Sequence, residues 1–406
     1  MSFEWFWDWG IAALFYIIII LLIYFNRKKF DIEHKVIALY RTKFGLKLMN
    51  FIGAKHPKFI GFLGNVGIYV GFLGMLVMIG FMFFGTYQLV FVPSAPPMFS
   101  PVIPGFQIPG SPFKFPLFEG LLSLFIVVVI HEFSHGVVAR AHGIKVNNSG
   151  FVMIGPIPGA FVEPDEKQLK KKSKKVQLSI FAAGPWSNII AAFIFLLLLN
   201  GFVFLTASSY TPTGVVIEDF TNKEDVLASG RLAGFSKGDV IIGVDNVSVG
   251  GVWELSDSLV NKSPGDVVLI KTDFFEKEIV LDAHALNGSV PVVGIIANHR
   301  LDASNAFMGV IKPVYLWFVG NPYDTGFIPR LGVLGLLYVL SLGIGLVNLL
   351  PIGPTDGGRM YLLALQKFFK NDKAMLIWSK TALILVILLI FLVVMPILRE
   401  IFSGLV

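Results

Sequence analysis

The sequence contains no cysteine among its 406 residues. This absence excludes disulfides, thiolate metal ligands and cysteine nucleophiles, so a metal site would have to use imidazole and carboxylate groups. Charged residues are also scarce, at 15%, whereas hydrophobic residues make up 55% of the chain. A soluble domain could not bury that much apolar surface in one core. The composition therefore predicts an integral membrane protein.

Long apolar runs are the most abundant feature of the chain. Six runs are long enough to cross about 30 Å of hydrocarbon, and they cover residues 11–25, 66–92, 117–141, 176–205, 331–350 and 375–398. Lysine and arginine collect after the first, third and fifth runs. Because short basic loops stay in the cytosol, both termini and residues 208–330 are predicted to lie outside it.

The basic loops also explain the net charge of +6. They lack the interleaved aromatic residues or recognition fold of a nucleic-acid-binding protein, so we expect no nucleic-acid partner. The alternative for residues 167–175 is a solvated face near anionic headgroups. No organelle signal is evident, which favours a multi-pass protein of a prokaryotic plasma membrane.

Residues 211–297 break the membrane pattern, with short β-branched runs separated by Gly, Pro, Asn and Asp turns. Within them, residues 227–249 resemble the core of a PDZ domain, with a short helix, a glycine turn, a strand and a tight turn at Asp245 and Asn246. PDZ domains bind extended peptides or C-termini by adding a strand to a sheet edge. The alternative is a rigid spacer without a ligand.

The third apolar run carries the sequence His131, Glu132, Phe133, Ser134, His135. Residues i and i+4 of a helix share a face, so both imidazoles can point at one ion, with Glu132 beside them. Titratable groups at membrane depth are costly and need a compensating role, which a metal ion supplies.

A catalytic zinc usually has three protein ligands and one open position. His142 lies seven residues beyond His135, about 10 Å along the helix, which is too far for the same ion. Asp356 is the best remaining candidate. Pro351, Pro354 and the glycines around Asp356 should unwind the helix, and irregular backbone at membrane depth survives when it is buried in protein or lines a wet cavity. A plain helix end is the alternative.

The HEFSH motif and the later residues Asn348, Pro351, Asp356 and Gly357 together resemble the site-2 proteases, which are intramembrane zinc metalloproteases. The stretch AAGPWSN at residues 182–188 and the PDZ-like insert add to the resemblance. It implies one zinc ion bound by His131, His135 and Asp356, with Glu132 as general base and Asn348 positioning substrate.

One departure from the family pattern is plain. The family commonly reads P-x-P-x-L-D-G, whereas here the second proline is Pro354, one place later, and Thr355 stands where leucine is usual. The distance from the first proline to the aspartate is kept, so ligation by Asp356 is little affected, while the local contacts to substrate are less certain.

Residues 150–164 are apolar and punctuated by Gly and Pro, and they follow the metal-binding helix. We interpret them as a re-entrant β-hairpin whose edge, at Gly159, Ala160 and Phe161, pairs with an extended substrate. A cytosolic turn buried against the helices is the alternative. Asn188 either joins two helices or acts near the active site.

The predicted architecture is a polytopic α-helical membrane protein of about six spans, with an inserted extracytosolic PDZ-like domain and a hairpin near a site that opens to the cytosol. The predicted divisions are residues 1–116, 117–206, 207–300, 301–330, 331–374 and 375–406, of which 301–330 form an interfacial linker. The resulting function is cleavage of membrane-spanning protein substrates. A membrane metal transporter and a catalytically idle PDZ-bearing scaffold are the rival functions.

Overall fold

A computed structural model describes residues 3–33, 37–92, 97–106, 108, 115–154, 157–206, 209–220, 233–283, 291–303, 306–320 and 332–403. Its helices are α1 (Phe3–Phe25), α2 (Leu46–Lys55), α3 (Pro57–Phe91), α4 (Leu117–Ala141), α5 (Glu166–Lys171), α6 (Lys174–Thr206), α7 (Val252–Leu259), α8 (Ala306–Phe318), α9 (Val333–Val347), α10 (Asp356–Phe368) and α11 (Asn371–Ser403). Its longer strands are β1 (Asp31–Glu33), β2 (Ile37–Thr42), β3 (Val146–Ile154), β4 (Ile157–Pro164), β5 (Tyr210–Phe220), β6 (Val240–Val244) and, after the two-residue β7 (Val247–Ser248), β8 (Val267–Thr272) and β9 (Glu276–Val280). The two-residue strands β10 (Asp282–Ala283) and β11 (Pro291–Val292) precede β12 (Ile295–Ala303).

The chain forms two compact units. The first consists of Met1–Leu197 and Gly335–Val406, and the second consists of Leu198–Leu334. Four helices, α3, α4, α6 and α11, are long and apolar enough to cross a membrane. They belong to the first unit, except for the end of α6. The apolar parts of α1 and α9 are shorter, at Ala12–Phe25 and Val333–Val347. Helix α9 has 15 residues and so covers part of the apolar run predicted at residues 331–350.

Glycines on α3 allow neighbouring helices to approach it closely. A Cβ added at Gly67 would lie 3.1 Å from the Trp186 ring on α6, and one at Gly71 would lie 2.6 Å from the Met360 side chain on α10. Small residues at helix contacts are how membrane helices gain van der Waals packing without a hydrophobic driving force. Helix α3 therefore packs against both α6 and α10, the helices that flank the site described below.

A four-stranded antiparallel sheet, in the order β1-β2-β3-β4, also belongs to the first unit. The predicted hairpin corresponds to β3 and β4, and β4 is the last strand in this order. The pairing of β3 with β2 was not predicted, because β2 lies in a segment that reads as a basic loop. Arg41 of β2 links the outer strands of this sheet, because its guanidinium forms ion pairs with Asp31 of β1 and, over 2.9 Å, with Glu163 of β4.

The break predicted around Pro351 and Pro354 is confirmed. Helix α9 ends at Val347 and α10 begins at Asp356, and the connecting residues are not helical. The backbone N–H of Gly357 donates to the Asn348 carbonyl over 2.8 Å, which closes the connection into a compact loop.

The second unit contains a sheet in the order β12-β5-β6-β8-β9, with β7 paired to β6. Its strands coincide with the β-branched runs of the sequence, and they enclose a core that includes Val215, Ile241 and Ile270. Asp245 has a positive φ of 51° in the tight turn expected after β6. The helix expected near residue 227 falls on residues 221–232, outside the described part of the chain. Strand β12 continues past residue 300, where a domain boundary was expected.

Candidate metal centre

Helix α4 brings two histidines together. His131 and His135 are one turn apart, their ring centroids are 4.9 Å apart, and the ring planes meet at 74°. His131 is buried, and Glu132 follows it directly in the chain. Spacing by four residues places both imidazoles on one side of the helix, as the sequence predicts.

Asp356 reaches the same place from the start of α10. Thr355 caps this helix, because its Oγ1 accepts the Gly358 N–H over 3.1 Å, and its hydroxyl lies 2.6 Å from the Leu350 carbonyl. A Cβ at Gly357 would collide with the carbonyl of Leu349. Gly357 and the capping Thr355 thus fix the turn that directs Asp356. Thr355, which stands where the family usually has leucine, serves here as the helix cap.

The three side chains converge on one point. Oδ2 of Asp356 lies 3.1 Å from Nε2 of His131 and 3.2 Å from Nε2 of His135. One ligand atom from each residue lies within 4.8 Å of the other two. Two bonds of about 2.0 Å at a tetrahedral angle place their ligand atoms about 3.3 Å apart, so the residues fit a zinc ion.

Helix α6 supplies the outer contacts of both imidazoles. The Ile180 carbonyl lies 2.6 Å from Nδ1 of His135, and the buried Asn188 amide lies 3.2 Å from Nδ1 of His131. Between them, a Cβ at Gly184 would lie 2.5 Å from Nε2 of His131 and would collide with Nε2 of His135. Only a glycine leaves the space in front of the two Nε2 atoms open.

Glu132 points from α4 toward the sheet. Its Oε2 accepts the backbone N–H of Val162 on β4 over 3.1 Å. Backbone groups on an antiparallel strand face alternate sides, so Ala160, two residues before Val162, directs its N–H and C=O toward the same side. Gly159 and Phe161 direct theirs toward β3, with which they are in register. Of the three residues predicted to bind substrate here, only Ala160 presents its backbone at the edge beside Glu132.

Two further residues considered in the sequence have other contacts: His142, which was excluded as a ligand, and Asn348, which was expected to position substrate. His142 is outside the cluster, with its Nε2 3.2 Å from the Ser179 hydroxyl. Asn348 contributes its main-chain carbonyl to the loop that carries Asp356. The sequence interpretation singled out Asn188 without choosing a role for it. It missed Ile180 and Gly184, although Gly184 lies within the noted AAGPWSN stretch.

Residues 119–389, more than half of the chain, match the sequence profile of Peptidase family M50. The chain belongs to peptidase family M50. This membership confirms the resemblance to site-2 proteases. Several relatives of this chain are named zinc metalloproteases, which suggests a metallopeptidase, and its family and apolar helices make this M50 chain a membrane protein.

Several curated proteins are similar to this M50 chain. An uncharacterized protein of Methanocaldococcus jannaschii is 26% identical over 349 residues, which are 84% of this chain and 81% of the relative. The zinc metalloprotease RasP of Shouchella clausii is 26% identical over 235 residues, which are 50% of this chain and 54% of RasP. A putative zinc metalloprotease of Clostridium acetobutylicum is 23% identical over 300 residues, which are 61% of this chain and 85% of the relative.

Proposed function

We propose that the protein is an intramembrane zinc metalloprotease that hydrolyses peptide bonds within the membrane-spanning segments of tethered protein substrates. The observation that carries this proposal is the convergence of His131, His135 and Asp356, with Glu132 adjacent, between helices of a membrane protein. The proposed ligands for a single zinc ion are these two imidazoles and this carboxylate.

A bound zinc supplies a Lewis acid that polarises a carbonyl and lowers the pKa of water toward about 7. Glu132 is the proposed general base. It takes a proton from the attacking water and returns it to the nitrogen of the leaving amine. Its neighbour on the sheet, Val162, holds the carboxylate through the backbone N–H and so fixes its direction.

Substrate must be unwound before cleavage, because a helix hides its carbonyls in hydrogen bonds from residue i to residue i−4. We assign the edge of β4 as the surface that holds the unwound stretch. Ala160 would pair directly with substrate backbone, while Gly159 and Phe161 keep the strand bound to β3. The contact between β4 and Glu132 supports this assignment because it puts the edge beside the proposed base.

Asn348 is proposed to position substrate, as the family resemblance implies. Its carbonyl already holds the Gly357 N–H over 2.8 Å, so its side chain is carried by the same loop as Asp356. A half-buried amide at this position could donate to a substrate carbonyl and accept from a substrate N–H.

We propose six membrane spans, with both termini and the second unit outside the cytosol of a prokaryotic cell and with the metal site open to the cytosolic side. The basic residues support this orientation. Lys174, from the basic loop after α4, donates to the Gln366 carbonyl on α10 over 2.7 Å. Arg359 lies over the Phe181 ring, 5.4 Å from its centroid. The helix that begins at Asp356 therefore contacts Lys174 of the basic segment expected in the cytosol, and it carries the basic residue Arg359 itself.

The β-rich second unit is proposed to be PDZ-like and to bind an extended peptide or a C-terminus. Strand β12 ends its sheet, and α7 lies beside it, with the Val252 N–H donating to Nδ1 of His299 on β12 over 3.3 Å. Gly294, with φ of 73°, forms the turn before β12. A strand edge beside a helix suits strand addition. In the cell, this unit would screen trimmed substrates.

The test is the Glu132→Gln variant, compared with the wild-type protein on a membrane-spanning peptide. We expect the variant to keep its zinc and to lose cleavage by about 100- to 10,000-fold, the usual contribution of a general base. Retained proteolysis would contradict the mechanism. Zinc flux into vesicles would instead favour a transporter, and zinc-independent binding without cleavage in either protein would favour a scaffold.

A further inference from the structure

Three residues of α6 form a row along the paired histidines of α4. Ile180, Gly184 and Asn188 are spaced by four, so they lie on one face of the helix. The first contacts His135, the last contacts His131, and the glycine between them lies against both Nε2 atoms. Each imidazole therefore directs Nε2 at Asp356, beside Gly184, and directs Nδ1 at Ile180 or Asn188 of α6.

The contact of His135 fixes the position of its proton. A backbone carbonyl only accepts hydrogen bonds, so Nδ1 of His135 must carry the proton that it shares with Ile180 over 2.6 Å. The Nε2 atom is then left with its lone pair facing Oδ2 of Asp356, 3.2 Å away. This is the tautomer that a metal ion requires of an Nε2 ligand.

The contact of His131 has the opposite hydrogen-bond direction, because a donor faces its Nδ1 atom. Nδ2 of Asn188, a donor, lies 3.2 Å from Nδ1 of His131, whereas Oδ1 of Asn188 is buried without a hydrogen-bond partner in the described part of the chain. The oxygen and nitrogen of an amide are interchangeable in shape, and their assignment follows from the hydrogen bonds. Turning the amide over places Oδ1 against Nδ1 of His131, where the oxygen accepts the proton that Nδ1 must carry when Nε2 binds a metal ion.

We propose that Asn188 is a positioning residue for the metal centre, which accepts the Nδ1 proton of His131 and so holds Nε2 free to bind zinc. The proposal rests on the zinc site of the proposed function. It also explains why an uncharged amide is fully buried in the middle of an apolar helix. Both histidines then present the same tautomer to one ion, one through a main-chain partner and one through a side chain.

The test measures zinc affinity of the purified full-length protein by competition with a chelator. Asn188→Leu removes the acceptor, and loss of such an outer partner weakens metal binding by about 10- to 100-fold. Asn188→Asp keeps an acceptor and should stay close to wild type in zinc affinity. Ser123→Ala is the matched control, because Ser123 is a buried hydroxyl of α4 that, among the described residues, has no hydrogen-bond partner.

The aspartate variant separates positioning from simple helix packing. If Asn188 only joined helices, a buried carboxylate in its place would be harmful, so Asn188→Asp would lose zinc along with Asn188→Leu, and that result overturns the proposal. Wild-type zinc affinity in Asn188→Leu overturns it as well. If the leucine variant does not fold, Asn188→Ala, which only removes atoms, replaces it and should show the same loss of zinc affinity. Failure of the wild-type protein to bind zinc would instead remove the proposed function itself.

Discussion

Oδ2 of Asp356 lies 3.1 Å from Nε2 of His131, although 225 positions of the chain separate the two residues. Both side chains are almost fully buried. A carboxylate and an imidazole nitrogen that face each other in an apolar interior need a proton or a cation between them. With His135 at a similar distance from the same oxygen, a shared metal ion satisfies all three groups.

Gly184→Ala should strongly weaken zinc binding without unfolding the protein. The new methyl group would occupy the space in front of His131 and His135. We expect zinc affinity to fall by more than about 100-fold, beyond the loss caused by removing an outer hydrogen bond. Alanine favours an interior helical position over glycine by about 1 kcal/mol, so loss of α6 would not explain the result.

Gly201→Ala is the matched control for that substitution. Gly201 is in the same helix, and a Cβ added there meets no described atom within 4 Å. Zinc content measured by elemental analysis should match wild type in Gly201→Ala. Equal zinc content in both alanine variants would contradict the close approach of α6 to the site.

Gly357→Ala should displace Asp356. The added Cβ would collide with the main-chain carbonyl of Leu349, which a flexible side chain cannot relieve. Such overpacking costs about 1–3 kcal/mol, and the helix start would shift to avoid it. Thermal unfolding and zinc titration should both report the change. Gly353→Ala, in the same loop, should leave both values unchanged because no atom of the described residues lies within 4 Å of its added Cβ. Equal behaviour of the two variants would be inconsistent with this loop geometry.

Ala160→Pro should impair cleavage while zinc content stays at the wild-type value. Proline removes the N–H that β4 is proposed to offer to substrate, and edge strands tolerate proline. Loss of one hydrogen bond worth about 1–1.5 kcal/mol lowers kcat/KM by about tenfold. Ala160→Ser keeps the N–H and serves as the control. Unchanged turnover in Ala160→Pro would exclude strand pairing at this position.

The second unit should lose local stability in acid partly through Asp245. A hydrogen bond from Lys262, at 2.7 Å, and one from the Leu269 N–H lower the pKa of Asp245 from its usual 3.8. A lowered pKa in the folded state contributes stability above pH 3.8, and this contribution is lost as the pH falls below that value.

Asp245→Asn isolates this charge, because asparagine also tolerates the positive φ and keeps an acceptor for Leu269. We expect a loss of about 0.2–1 kcal/mol at neutral pH, as for exposed ion pairs. Hydrogen exchange of the β6 and β8 amides in the full-length protein measures it. The difference between the variant and wild type should shrink as the pH falls below 3.8, and a difference that stays constant with falling pH would argue against the ion pair.

The ligands of the candidate site could be predicted from sequence because helical spacing and chain-breaking residues are local signals. His131 and His135 are one turn apart, and Pro351 and Pro354 lie among several glycines, a combination that favours the end of a helix. Asp356 then followed from the shortage of other carboxylates near the site and from the family pattern. The contact between α6 and His135 left no such signal in the sequence, because it is made by the main-chain carbonyl of Ile180, which any residue type could supply. The importance of Gly184 depends on how closely two helices approach.

The sheet was predictable only in part for a related reason. The β3–β4 hairpin is local, and Gly and Pro mark it in the sequence. Strand β2 pairs with β3 across more than 100 positions of the chain. Apolar and polar residues do not alternate regularly along β2, so the sequence does not mark it as a strand among its basic neighbours. Register between distant strands is set by the tertiary fold, which a local pattern does not contain.

X-ray absorption at the zinc edge of the purified, active protein tests the metal centre most directly. The account predicts zinc bound by nitrogen and oxygen at about 2.0–2.1 Å, with two imidazoles and no sulfur. It also predicts that Asp356→Asn changes the spectrum and weakens zinc retention. Active protein without zinc, or an Asp356→Asn spectrum identical to that of wild type, would contradict it.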